Sequence, residues 1–469
     1  MGNGSSAKKS VYGGPGRRAS AGPHRRISRR AALWRAVGLA AAAAGPWVVP
    51  ASALGAAAPS NRITLGCIGV GNQGSQVLRG FLQQDDCRVL AVCDVNRASH
   101  GYKSDDQFLG REVARKAVDD HYAARRRDGR SGGCSACTDF REVLSRGDID
   151  AVVIAVPDHW HGVMTCAAAR AGKDIYCEKP LSLTVAQGRA MVREVRRCGV
   201  VLQTGSHERS NAVARFACEL VRNGRIGPLR RILTVVGFWN KTAPPRDWTP
   251  APPPGDFDYE MWLGPAPYQP YHKDRCLYNF RFLLDYSGGQ VTNYGAHSLD
   301  LAQWGHGSED TGPVEVEDAG SVFPSDGLFD VAKVVHFRGR YADGVELECI
   351  TRADSVCARF EGSEGWVEYG YGGFKTHPES LKRSPIRPND IRLYESPGHC
   401  RNFLDCVRTR REPAAPVEVG HRSASLCHVA NIAMRLKRPL RWDPQREQFT
   451  NDDEANRMLA RPMRSPWHL

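Results

Sequence analysis

Residues 63–94 restrict the fold more than any other stretch of the chain. Ile63-Thr-Leu-Gly-Cys-Ile68 is a short apolar run of the kind a buried strand requires. It ends in Gly69-Val70-Gly71-Asn72-Gln73-Gly74, after which Ser75 to Leu82 reads as a helix. Val89-Leu-Ala-Val-Cys93 reads as the next strand, and Asp94 closes it, 20 residues beyond Gly74. Each glycine has a reason to be there. The first makes a tight turn, the second lets the backbone approach a pyrophosphate, and the third lets the helix pack closely on the strand. The helix amino end, with Asn72 and Gln73 in the turn, offers unpaired N–H groups and a positive dipole end to that phosphate. A carboxylate at Asp94 is placed to accept from the adenosine ribose hydroxyls. A lone GxGxxG is weak, but strand, glycines, helix, strand and acid in this order define a dinucleotide site. Asp94 repels a 2′-phosphate, so NAD is the expected cofactor. Arg97, three residues on, keeps NADP open.

The pattern continues to about Gly205. Helical segments are expected at 106–127, 139–146, 161–171 and 184–198. They alternate with apolar strands at 151–156, 174–177 and 200–203. Continuous apolar strands between helices imply a parallel sheet covered on both faces. The fold class is therefore α/β, with a Rossmann dinucleotide-binding domain over residues 62–205. Beyond Ser206 the character changes. Strands at 232–238, 314–323, 331–337, 344–352 and 366–371, with helices at 295–304, 402–408 and 423–435, predict an α+β domain over 206–445. Its sheet should be open and mostly antiparallel. From Asp443, and so through the tail at 446–469, the chain is polar and reads as extended.

The formal charge of +13 suggests nucleic acid only until it is mapped. Nine Lys and Arg, and no Asp or Glu, lie in residues 1–35, which leaves +4 for everything else. A nucleic-acid partner is rejected. The basic head precedes an apolar run from Ala36 to Val49 and small-residue cleavage sites at Ala51-Ser-Ala53 and Ala56-Ala-Ala58. That is a secretory layout. Ser28-Arg29-Arg30-Ala-Ala-Leu33 resembles a twin-arginine signal, so residues 1–58 are expected to direct export to the periplasm. No stretch is long and apolar enough for a lasting membrane span. The 15 cysteines sit mostly within apolar strand and helix patterns and read as small buried hydrophobes. Cys134-Ser-Ala-Cys137 and Asp158-His-Trp-His161 both lack the further ligands a metal centre needs, so no metal is expected.

Glu178-Lys179-Pro180 follows the strand ending at Cys177, at the carboxyl edge of the sheet, where such folds bind ligands. A lysine there can stabilise the alkoxide that forms as hydride leaves a carbinol. Together, GxGxxG, Pro157 and His161 after a strand, and Ala171-Gly-Lys-Asp-Ile-Tyr-Cys-Glu-Lys-Pro180 resemble the glucose–fructose oxidoreductase, inositol dehydrogenase and rhizopine-catabolism (Gfo/Idh/MocA) family, over about residues 62–443. The resemblance implies a Rossmann domain joined to an open-faced, mostly antiparallel α/β domain, and NAD or NADP acting on sugars and polyols. It implies Lys179 as the main catalytic residue, commonly with a cis peptide before Pro180. It places Pro157, His161 and Glu178 beside the cofactor, and a homo-oligomer is expected.

A second family motif, GG-x-x-x-D-x-G-x-H-x-x-D, is met by Gly288-Gly-Gln-Val-Thr-Asn-Tyr-Gly-Ala-His-Ser-Leu-Asp300, with one departure: Asn293 replaces the first aspartate. Asn293 can bond a sugar hydroxyl but cannot take a proton. His297 is then the expected general base, an imidazole suited to neutral pH. Two rival readings stand beside the dehydrogenase: a redox-neutral NAD-dependent glycosidase of the same architecture, and a non-catalytic sugar- or cofactor-binding protein, which only Asn293 favours.

Overall fold

The computed structural model describes residues 61–104, 106–125, 133–238, 248–352 and 356–469. The export signal, Trp239 and the first part of the Pro-rich loop at 242–255 (residues 242–247) lie outside them. Six strands form a parallel sheet: β1 (Ile63–Ile68), β2 (Cys87–Cys93), β3 (Ser135–Cys137), β4 (Ala151–Ile154), β5 (Asp174–Cys177) and β6 (Leu202–Thr204). Their order is β3-β2-β1-β4-β5-β6. The order reverses between β1 and β4, and a crevice opens at the carboxyl ends of the strands at such a switch point. Helices α1 (Asn72–Leu82), α2 (Arg111–Ala124), α3 (Phe140–Ser145), α4 (Asp158–Arg170) and α5 (Val185–Cys198) accompany this sheet. Strand β4, and β1 apart from Thr64, carry no polar side chains because both faces are covered.

The second sheet has nine strands. They are β7 (Leu229–Val236), β8 (Glu315–Asp318), β9 (His336–Arg340), β10 (Glu346–Thr351), β11 (Cys357–Gly362), β12 (Trp366–Gly370), β13 (Gly373–His377), β14 (Leu440–Asp443) and β15 (Gln448–Phe449). Their order is β13-β12-β11-β7-β10-β9-β8-β14-β15. Neighbours run antiparallel except β7 and β10, which are parallel. The predicted open, mostly antiparallel sheet is thus present. Its covered face packs against α6 (Ala212–Arg222), α9 (Gly295–His306) and α11 (Val417–Leu436). Along β9 the alternation is plain: Phe337 is buried while Arg338 and Arg340 are exposed on the other face.

Several expectations shift, each for a physical reason. The helix expected from His161 begins at Asp158, because Pro157 occupies the N-cap directly after the strand. The helix expected from Asp106 begins at Arg111, since Ser99 and Leu109 pair across a loop. Apolar residues at 331–335 are buried without joining the sheet, so β9 starts only at His336. Helix α6, capped by the Asn211 side chain, and strand β11 carried signals that went unread. None of the 15 cysteines, Cys134 and Cys137 included, is in a disulfide.

The largest correction concerns residues 446–469, which are not extended. Phe449 is buried and pairs with Trp442 across β14 and β15. A short helix (Asp453–Arg457) capped by Asp452 buries Ala455. Met463, Trp467 and Leu469 then pack on the core of the parallel sheet, where Trp467 meets Trp160 edge to face with ring centres 4.7 Å apart. Helix α10 (His399–Thr409) also crosses back, seating Phe403 and Leu404 against α1.

Candidate active site

One cavity of about 490 Å³ runs from the glycine turn, past the ends of β2 and β4, to the second sheet. At its cofactor end the backbone leaves no room for side chains. Gly69 has φ +81°, and a Cβ there would lie 2.4 Å from the Ala155 carbonyl oxygen. At Gly74 it would lie 2.0 Å from the Gly69 carbonyl oxygen, which is the close strand–helix packing expected of the third glycine. Gly71 is the N-cap of α1, no side chain caps this helix, and a Cβ on Gly71 would strike the Tyr102 ring at 2.7 Å. A bare helix amino end over a glycine cradle fits a pyrophosphate.

Asp94 lines the cavity at the end of β2. Its oxygens accept from the Val70 N–H at 2.8 Å and the Asn96 N–H at 2.9 Å, which aims the carboxyl across the turn. Burial raises its pKa, and those two N–H groups counter the rise. Arg97 turns away toward Asp256, 3.6 Å off at an exposed position. No cation is therefore seen waiting for a 2′-phosphate at Arg97. Asp94→Ser should shift preference from NAD toward NADP, read by fluorescence titration of both cofactors. Tighter NADP binding by the unaltered protein would count against this assignment.

Glu178 is buried at the end of β5. It accepts from Gln73 Nε2 at 3.3 Å and the Tyr176 hydroxyl at 3.4 Å, tying the glycine turn to the strand that carries Lys179. Asn72 instead accepts from Gln107 at 3.1 Å and faces the cavity at its rim. Pro157 lines the cavity, but His161 does not, contrary to the expectation that it binds the cofactor. Because α4 starts at Asp158, His161 points inward. Its ring nitrogens lie 2.7 Å from the Pro180 carbonyl oxygen and 3.0 Å from that of Val156. Burial drives its pKa down to about 4, so it is a neutral strut behind the Lys179–Pro180 turn. That peptide bond is cis.

The other end of the cavity holds the expected catalytic set. Lys179 Nζ donates to the Asn293 carbonyl oxygen at 3.2 Å and to Asn293 Oδ1 at 3.3 Å. Burial lowers the lysine pKa, Glu178 raises it, and Arg281 lowers it further. Asn293 ends the short helix α8 (Gln290–Asn293), and His297 follows in the first turn of α9. His297 is buried, and its Nδ1 has no hydrogen-bond partner among the described residues. Burial, then the charge of Lys179, pushes its pKa well below 6.5. The imidazole is therefore neutral across the working range and does not titrate near neutrality, which corrects the expectation of a pH-matched base.

Further polar groups stand at this end of the cavity: Asp158 and His207 belong to segments expected near the site, whereas Arg281 and Glu208 were not singled out from the sequence. Asp158, at the first position of α4, is buried beside the cavity and accepts from the Ser287 hydroxyl at 2.5 Å. Burial raises its pKa to about 7 against the pull of Ser287, Lys179 and Arg281. Arg281 lines the wall, with its guanidinium 3.8 Å over the Tyr278 ring. His207 lies against His297, ring centres 4.7 Å apart, and is exposed. With Glu208, whose carboxylate accepts from the Tyr369 hydroxyl at 2.8 Å, these histidines bring three potential ligand atoms within 4.8 Å of one another. The neighbouring Lys179 charge opposes a dication there. Arg209 and Asp300 take no part in the cavity. They form a buried bidentate pair at 2.8–3.0 Å, joined by Glu309 and Ser423.

Fold and cavity together define a two-domain dinucleotide-binding protein with a second, sheet-walled site beside the nicotinamide end. The family described as "Oxidoreductase family, NAD-binding Rossmann fold" matches residues 63–206, and its "C-terminal alpha/beta domain" matches residues 219–469. The chain belongs to the Gfo/Idh/MocA oxidoreductase family, and its first domain is an NAD-binding Rossmann fold. It is similar to a 1,5-anhydro-D-fructose reductase of Ensifer adhaerens, 41% identical over 90 residues, which cover 19% of this chain and 27% of the relative. It is also similar to a myo-inositol 2-dehydrogenase of Thermotoga maritima, 29% identical over 193 residues, 41% of this chain and 47% of the relative. The matches thus span less than half the length of these relatives. Among solved structures, an aldose–aldose oxidoreductase from Caulobacter crescentus complexed with glycerol shares the fold, with a TM-score of 0.57 at 21% identity over 81% of this chain and 99% of that one.

Proposed function

We propose that this protein is an NAD-dependent oxidoreductase acting on a sugar, polyol or related hydroxy or carbonyl compound. The observation that carries the reading is the placement of Lys179. Its ammonium projects from the carboxyl end of β5 into the cavity and is fixed by two oxygens of Asn293. An ammonium has three N–H donors, so one remains for a substrate oxygen. The cofactor, when bound, supplies a nicotinamide C4 that exchanges hydride with a carbon. The glycine turn, α1 and Asp94 hold it, and Glu178 couples that turn to the Lys179 strand.

Lys179 stabilises the negative charge that develops on the substrate oxygen. Neutral His297 accepts the hydroxyl proton, and exposed His207, in ring contact with it, leads that proton toward solvent. Asn293 orients Lys179 and the substrate without exchanging a proton. The test is a panel of sugars and polyols, with NADH formation and product structure followed together. Oxidation of a member with matching NADH supports the reading. Free sugar released from a glycoside without net NADH would replace it with the redox-neutral alternative.

We place the enzyme in the periplasm and expect it to be a homo-oligomer. The order of basic, apolar and small residues over 1–58 supports export by the twin-arginine route. Changing both Arg29 and Arg30 to lysine should retain the full-length protein in the cytoplasm, scored by cell fractionation. Undiminished processed protein in the periplasm would exclude that route. Among the described residues, no helix is long and apolar enough to cross a membrane.

A further inference from the structure

The substrate end of the cavity is charged in an unusual way. Lys179 and Arg281 both donate to one neutral oxygen, Asn293 Oδ1, each at 3.3 Å. No carboxylate of the described residues lies within ion-pair distance of either cation, and Glu178 and Asp158 act on them only from farther off. Asp158 is already engaged by the Ser287 hydroxyl and shares its proton near neutral pH.

Arg281 is also held in place. Its Nε donates to the Tyr278 carbonyl oxygen at 2.8 Å, and its plane lies over the Tyr278 ring. Its Nη2 has no hydrogen-bond partner among the described residues, and the side chain is partly exposed to the cavity. A fixed, planar guanidinium with a free N–H edge is suited to a carboxylate. Asn293 explains why no protein carboxylate fills that role. An aspartate at this position, as in the motif that the segment otherwise matches, would sit between the two cations and neutralise them. Asparagine leaves the two cations without a carboxylate at hydrogen-bond distance, and buried charge held without a close counter-charge is costly.

We infer that the substrate supplies this anion: the cavity is built for a sugar acid, an aldonic or uronic acid, whose carboxylate is received by Arg281 while Lys179 takes the reacting oxygen. This rests on the oxidoreductase reading for the role of Lys179 but not for the binding of the acid.

The experiment is calorimetric titration of the full-length, NAD-loaded protein with gluconate, glucuronate and galacturonate. Glucose, galactose, myo-inositol and glucose 6-phosphate serve as comparisons, and NADH formation is followed in parallel. The best acid should bind roughly 10- to 100-fold more tightly than the neutral sugars, the range of a charge-assisted hydrogen-bonded pair. Its advantage should shrink as salt is added. Arg281→Gln should collapse the acid-to-neutral ratio toward one. Asn293→Asp, which keeps the arginine and adds a competing carboxylate, should reverse it, so the idea remains testable if one variant does not fold. Acids that bind selectively without yielding NADH would leave this inference standing and remove the oxidoreductase reading. Neutral sugars bound equally well, no acid bound at all, the phosphate ester preferred over every carboxylate, or a selectivity that survives Arg281→Gln would each overturn the inference.

Discussion

Lys179→Met should lower turnover by roughly 100-fold or more, the scale seen when one oriented stabilising group is lost. Methionine keeps the length of the stem and removes the charge. The interaction lost is strongest in the transition state, when the substrate oxygen carries most negative charge, so kcat should fall more than KM rises. NAD affinity should hardly change, because Gly69, Gly71 and Asp94 stand at the other end of the cavity. His297→Ala should also slow the reaction, but without removing a pH step near neutrality, since His297 is already neutral there. Turnover, cofactor affinity and melting temperature, measured on the same samples, separate chemistry from stability. A folded, NAD-binding Lys179→Met protein with normal turnover would remove Lys179 from the catalytic role.

The second large effect is expected at Asp158. Burial pushes its pKa up to about 7 in the fold, against 3.8 for a free aspartate carboxyl. The protonated form is therefore favoured in the native state, and its contribution to stability is fully present below about pH 4. That contribution is lost as pH rises toward 7, where the unfolded chain ionises freely and the buried site does not. The whole change is on the order of 4 kcal/mol. Asp158→Asn keeps the shape and an acceptor for Ser287 but cannot ionise. The difference in stability between variant and wild type should therefore grow in favour of the variant from pH 5 to pH 8, as measured by denaturant titration at each pH. A constant difference across that range would show that Asp158 does not titrate there. Activity should respond as well, because an ionising carboxyl near Lys179 and Arg281 gives the rate a step near pH 7 that the asparagine variant would lack.

The parts of this site that were legible from sequence are those written in contiguous strings. Gly69 to Gly74, Asp94, Glu178-Lys179-Pro180 and the segment from Gly288 to Asp300 each place their own residues, because a turn or a strand end fixes them locally. The cluster around the substrate end is different. Arg281, Ser287 and Asn293 lie within one short stretch of the second domain, and only the docking of the two domains brings Asp158 against them. His161 shows how one boundary changes a role. With a helix begun at His161 the side chain could face the cofactor, but begun three residues earlier it faces the core and braces Pro180. The signal for the true start was present, since proline before aspartate at the end of a strand is a good helix opening. In the second domain, apolar residues marked burial correctly, yet burial without sheet pairing at 331–335 moved a strand. Polar spacing hid the packing of the last 24 residues, because Phe449, Ala455, Met463, Trp467 and Leu469 are too sparse to form a period.

That last segment sets how the molecule can breathe. The polypeptide leaves the second sheet at Phe449 and ends with Trp467 and Leu469 wedged into the first domain against Trp160. Helix α10 makes a second crossing, with Arg401 and Arg408 both bound to Asp86 beside β2. Two laces therefore span the halves, so a hinge motion wide enough to release a dinucleotide must first peel an aromatic anchor from its socket.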